Sequence, residues 1–200
     1  MCKCFAVQYI FLCPLQFMGR WYEVAVVSTC PHYLQRKSGN PVIVALELQH
    51  DASEGNFSVT ATSFRNGTCK RTSTDYGLTN TPGRFFYHVA RFRADVDSFV
   101  VRTNYDEYAV MLQLSTEKPS ANKTTIVKLY GRTMNVAAAV LDDFKALVRQ
   151  HGMSDDTIIM NQNKGECLPG EQVTKPQNLL PKRSKRNAVS PAQEQDAGDI

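Results

Sequence analysis

Two hundred residues, 42% of them apolar, suffice for one domain with a full core and additional tails. The 23 basic and 19 acidic side chains leave a formal charge of only +4. The basic cluster Lys175, Lys182, Arg183, Lys185 and Arg186 is largely offset by Glu171, Glu194, Asp196 and Asp199, so the chain carries no nucleic-acid-binding footprint.

Residues 1–17 stand apart from the domain. Residues 5–17 are mostly apolar behind a single Lys3, like the h-region of a signal peptide, yet no small-residue cleavage site separates them from the first strand. The segment reads as signal-like or as a mis-joined exon, and it is too short to serve as a transmembrane segment. Residues 21–27 form that first strand, which ends in Ser28-Thr29-Cys30-Pro31. Because Pro31 cannot donate to a ladder, Cys30 lies at a strand end or in a loop.

Apolar runs come next at 42–48, 57–64, 85–92, 98–103, 108–114 and 125–130, with a less regular one at 68–76. Turn residues separate them at 51–56, Asn66-Gly67, Thr81-Pro82-Gly83, 104–107 and 117–122. Alternation at Phe99, Val101 and Thr103, and at Tyr108, Val110, Leu112 and Leu114, marks half-buried strands. Seven or eight such strands with regular turns predict an antiparallel sandwich or barrel.

The period then changes. Val140, Leu141, Phe144, Leu147 and Val148 share one face of a helix, with Asn135 as its N-cap and Gly152 as its stop. Residues 157–160 suit a short added strand, and 171–200 have the composition of a disordered linker.

Trp21, the only tryptophan, lies on the first strand, and Arg132 comes after the last. A guanidinium stacks well on an indole face, so this pair suits a clamp between the two ends of a closed sheet. Six cysteines occur, at 2, 4, 13, 30, 69 and 167, and none has zinc-ribbon spacing; no metal site is expected. Sequons at Asn56, Asn66 and Asn122 lie beside turns, and Arg183-Ser184-Lys185-Arg186 reads as a furin-type cleavage site. Together they predict a secreted, extracellular glycoprotein in which some cysteines pair.

Three blocks, Gly19-Arg20-Trp21, Thr103-Asn104-Tyr105-Asp106 and Arg132, resemble the characteristic motifs of the lipocalin family, in order and at suitable spacing. The resemblance covers residues 18–170 and implies an all-β fold: an eight-stranded antiparallel up-and-down barrel with one C-terminal helix packed on it. It implies a Cys69–Cys167 disulfide and a ligand that is haem or another small hydrophobic molecule, with no cofactor required. It further implies that Cys30 is an unpaired thiol at the open end, reductive and haem- or radical-scavenging, and able to hold a covalent partner. The nearby His32, Arg36 and Lys37 would favour a thiolate if they fold beside the sulfur.

In the branch of the family that the chain resembles, a loop histidine binds haem and mouth lysines carry chromophore adducts. Here residues 117–123 contain no histidine, which leaves His32 as the candidate axial ligand. Of the lysine positions only Lys128 is kept, the others being Val89 (or Arg91) and Ser115. Tyr105, Tyr108, Phe85, Phe86 and Tyr87 are expected in the core or end plug, and His50, His88 and His151 are expected to be structural.

That branch is also cut from a longer precursor carrying a bikunin-like Kunitz-type serine protease inhibitor portion, which is one alternative role. Another is enzymatic, since some lipocalins isomerise prostaglandins with a thiol inside the barrel. Cys30 lies after the first strand rather than within the wall, so the chain reads as a non-enzyme with at most a weak thiol reductase activity.

Overall fold

The computed structural model describes residues 14–51, 56–165 and 167. Cys2, Cys4 and Cys13, the basic tail and the Arg183, Lys185 and Arg186 cleavage site lie outside them.

Eight antiparallel strands run β1 (Gly19–Ser28), β2 (Val44–Asp51), β3 (Asn56–Arg65), β4 (Thr68–Leu78), β5 (Arg84–Val89), β6 (Ala94–Thr103), β7 (Tyr108–Glu117) and β8 (Lys123–Gly131). Each pairs with its sequence neighbour, and β1 pairs with β8 on one side and β2 on the other, closing the sheet into a barrel. The connections are short because the turn residues suit them. Asn66 and Gly67 take φ values of 52° and 73°, the conformation that a two-residue hairpin between Arg65 and Thr68 requires. The irregular run around 68–76 is the full strand β4, mostly exposed and therefore weakly patterned.

Two apolar clusters divide the molecule. One fills the lower barrel interior, with Trp21, Phe57, Phe85, Met111 and Tyr130 at its centre. The other lies outside the wall, where helix α3 (Ala138–Gln150) presses Phe144, Leu147 and Val148 onto Ala25, Val27, Val110, Val127 and Leu129. Strand β1 is thus covered on both faces, and every residue from Val24 to Ser28 is buried without alternation. The helix begins after Ala137, later than the expected Asn135 cap; Asn135 instead accepts a bond from Thr133 Oγ1 on its carbonyl. It stops at Gly152 (φ 71°), where Gly152 N–H meets Arg149 O and Met153 N–H meets Val148 O in a Schellman arrangement. The short strand β9 (Ile159–Met160) adds to β1 at Ala25 and Val26, above the point where β2 leaves it.

The lower end is closed by the expected pair. The Arg132 guanidinium lies 3.7 Å from the Trp21 ring centroid. It also donates to four carbonyls: Gln16 (2.7 Å), Met18 (3.0 Å), Arg20 (2.9 Å) and Tyr105 (2.8 Å). Trp21 Nε1 donates to Phe17 O at 2.8 Å. Phe17, from the one-turn helix α1 (Pro14–Phe17), is 2% exposed and packs on Trp21 and Phe85. The packed unit therefore begins inside the segment that the sequence sets apart, a turn before residue 18.

Cys69 on β4 is bonded to Cys167, 98 positions on in the sequence. Closing a loop of that length stabilises by about 4–5 kcal/mol in the chain-entropy model. The double variant Cys69→Ala/Cys167→Ala should lose roughly that amount in urea titration. Arg132→Ala, which orphans four carbonyls, should lower stability by about 3 kcal/mol while leaving far-UV dichroism unchanged. An unfolding midpoint equal to that of the unaltered protein would refute the clamp.

Candidate functional site

The upper barrel interior is open. A cavity of about 460 Å³ lies between the ends of β5, β6, β7 and β8 and a helix, α2 (Pro31–Gly39), that crosses the mouth. Its volume falls within the usual range for small-ligand pockets.

Helix α2 is absent from the sequence expectation, which reads Pro31 as the close of a strand. Proline fits the first helical position because its missing N–H would be unpaired there anyway. Cys30 occupies the preceding cap position with φ −90° and ψ 111°, and its carbonyl accepts the first helical bond from Leu34 N–H at 3.1 Å. Its own N–H donates to Ser28 Oγ at 3.1 Å, and its side chain makes no capping bond. The thiol is half-buried and is the free cysteine among the described residues.

Helical spacing sorts the basic neighbours of Cys30. His32 and Arg36 line the cavity with it. Arg36 lies over the rings of Tyr33 (5.7 Å) and Phe92 (5.6 Å), joining α2 to the 3-10 turn Ala90–Phe92 on the opposite rim. Lys37 does not join the thiol. It is buried, with Nζ 2.8 Å from Glu23 Oε1 and 3.3 Å from Val42 O, so the condition for its favouring a Cys30 thiolate is not met.

Glu23 is the centre that sequence reasoning missed. Its carboxylate receives Lys37 on one oxygen and Lys128 Nζ on the other at 3.0 Å, and Asn161 Nδ2 adds a bond at 3.2 Å. Burial pushes the carboxyl up, but Lys128 and Lys37 more than reverse this and hold it at about 2 instead of the usual 4.5. Burial draws the Lys37 ammonium down. The same effect acts on Lys128, where Glu23 overrides it and holds the ammonium well above its ordinary value. Nothing in the local sequence signals this trio; it exists because β1, α2 and β8 converge.

Val89, Ser115 and Lys128, the three positions singled out for adduct chemistry, all line the cavity. The Phe85-Phe86-Tyr87 group divides by strand alternation. Phe85 joins the interior core, Phe86 is exposed on the outer face, and Tyr87 lines the cavity. Tyr105 packs against the lower core and Tyr108 against the α3 cluster. His50 and His151 are exposed, and His88 meets Asp95 at 2.7 Å on the outer wall. Asn66 and Asn122 are exposed in turns, and Asn56 is half-buried at the start of β3.

Residues 18–165 match the lipocalin / cytosolic fatty-acid binding protein family. The chain belongs to the lipocalin family. This lipocalin is 49% identical over 92% of its length to Protein AMBP of Pleuronectes platessa, covering 52% of that protein. It is 39% identical over 90% of its length to Protein AMBP of Sus scrofa, covering 52% of it. The chain therefore spans about half the length of the curated relatives it matches, and it resembles α1-microglobulin, the N-terminal part of the α1-microglobulin/bikunin precursor. In fold it is similar to the siderocalin Ex-FABP, with a TM-score of 0.62 and 21% identity over 76% of this chain and 97% of that one.

The buried trio makes acid stability predictable. A carboxyl held below its unfolded value contributes stability that is present above that value and lost as pH falls through the folded one. Thermal midpoints should therefore drop between about pH 4.5 and 2. Glu23→Gln should be less stable at neutral pH by about 3 kcal/mol and show a flatter acid limb. An unchanged acid limb in that variant would assign the transition to other carboxyls.

Proposed function

We propose that this lipocalin is a secreted binding protein that takes haem or another small apolar ligand into its upper cavity and presents the Cys30 thiol to it. The observation that carries the reading is the shared cavity wall: a half-buried free thiol, an imidazole, two cations and apolar strand residues all face one space. A disulfide and the exposed sequon asparagines Asn66 and Asn122 suit an oxidising, extracellular setting.

The wall fits haem in its donor set. Cys30 and His32, at the start of one helix, would hold the iron, and Arg36 and Lys128 would supply cations for propionates. When bound, haem supplies a redox-active iron. The protein's residues orient it, exclude water and hold the sulfur within reach. As an antioxidant, Cys30 transfers the hydrogen atom of its S–H bond to a radical, which is quenched and leaves a thiyl sulfur. That step consumes the thiol, so the activity is scavenging rather than turnover, and the protein is not an enzyme. Release from a bikunin-like precursor by cleavage at Arg183, Lys185 and Arg186 belongs to the same reading and is supported by the likeness to Protein AMBP.

Haem titration followed by absorption spectroscopy tests this. Cys30→Ser should weaken binding about tenfold and shift the Soret band, and His32→Ala should do less. An unchanged spectrum and affinity in Cys30→Ser would remove the thiol from the site.

A further inference from the structure

The mild net charge of the chain hides a separation along the barrel axis. Because successive strands alternate in direction, the β5–β6 turn, the β7–β8 loop and α2 all lie at the open end. Arg91 and Arg93 on the turn, Lys118 on the loop and Lys123 at the start of β8 are exposed, as is Arg36 on α2. On the strand ends that bear the turn and loop, the carboxylates are Glu117, which lines the cavity, and Asp95, which already binds Lys118 and His88. At the closed end the β6–β7 turn carries Asp106 and Glu107 instead.

One apolar side chain is set among these cations. Phe92, at the end of the 3-10 turn Ala90–Phe92, is 48% exposed. The guanidiniums of Arg36 and Arg91 each lie 5.6 Å from its ring centroid. The turn is braced: Arg93 N–H donates to Ala90 O at 3.1 Å, and Arg93 O accepts from Lys118 N–H at 2.9 Å, joining turn to loop. Arg93 holds a left-handed φ of 47°, a conformation that glycine or asparagine takes at less cost. A cation thus stands where turn chemistry alone favours another residue.

We propose that this rim is a docking surface for an anionic lipid bilayer, on which the barrel stands mouth-down with Phe92 inserted and the five cations among the headgroups. Basic side chains beside a membrane are attracted by its anionic lipids, and an apolar ring buried at the interface adds to that attraction. Arginine suits the arrangement because its planar, weakly hydrated head stays at headgroup level while its stem lies along apolar surface. A sulfated polysaccharide also neutralises cations, but it offers Phe92 no apolar interior to enter, so the bilayer is the better fit. Docking in this sense turns the cavity mouth to the lipid, and an apolar ligand then passes between the two without crossing bulk water. The docking itself does not depend on which ligand the cavity takes.

Co-sedimentation of the full chain with vesicles of phosphatidylcholine, alone or with about one-third phosphatidylserine, tests this. The unaltered protein should bind the anionic vesicles about tenfold more tightly, and added salt should weaken that binding. Arg91→Gln/Arg93→Gln should lose the anionic preference, whereas Phe92→Ser should weaken binding about threefold and keep its salt dependence. Quenching by brominated lipids reads the orientation. Trp21, the lone tryptophan, lies at the closed end and should escape quenching, while Phe92→Trp should add an emission that is quenched. Equal affinity for the two vesicles, or binding to neither, overturns the proposal. So does quenching of Trp21 in the unaltered protein, or undiminished binding by Phe92→Ser. Retention on immobilised heparin without binding to vesicles assigns the rim to a polyanionic glycan and overturns it as well.

Discussion

One guanidinium organises the closed end of the barrel. Arg132 faces the Trp21 indole and gathers the carbonyls of Gln16, Met18, Arg20 and Tyr105, groups that come from the approach to β1, β1 itself and the β6–β7 turn. The carbonyls of Met18 and Tyr105 are partly buried, where a polar group without a partner is costly. A planar cation with five donors is suited to this task, and a lysine ammonium is not. With that end fixed, β1 can be paired on both sides and the interior above it can stay open.

The interior accordingly runs from dry to wet along the barrel axis. Aromatic side chains fill the bottom, Glu23 and its two lysines form an ionic layer, and the mouth mixes phenols, an imidazole, a thiol and a guanidinium. The ionic layer also ties the helix across the mouth to the barrel wall. Lys37 anchors α2 to the wall through Glu23, while Arg36, one position earlier and about 100° round the helix, reaches Phe92 across the mouth. Cys30 and His32, at the start of this helix, lie one to two turns from these anchoring contacts.

Much of this was legible in the sequence, and the reason is periodicity. Strands that cover a core on one face reveal themselves by alternation, and α3 does so by its apolar stripe. The clamp was legible because a lone tryptophan and an arginine after the final strand have few other uses. Helix α2 was not, because it covers an opening rather than a core and so lacks an apolar face. Seven positions along a helix return to nearly the same face but about 10 Å further along the axis, so Lys37 reaches Glu23 rather than Cys30. Tyr87 was grouped with Phe85 and Phe86 by composition, and only the register of β5 shows that Phe85 and Tyr87 share a face. Glu23 carries no local signal, since its partners lie 14 and 105 positions away in sequence.

The disulfide also has a mechanical meaning. Because Cys69 and Cys167 are covalently joined, tension applied between the two chain ends passes directly from β4 to Cys167. Everything enclosed by that loop, from the rest of β4 through β9 with α3, is bypassed by the load. Among the described elements, α1, β1, α2, β2, β3 and the start of β4 lie in the force path, and β1 resists through its shear against β8 and through the Arg132 knot. Traction on whatever extends past Cys167 would thus strip the first three strands before it disturbed the β5–β8 side of the ligand chamber.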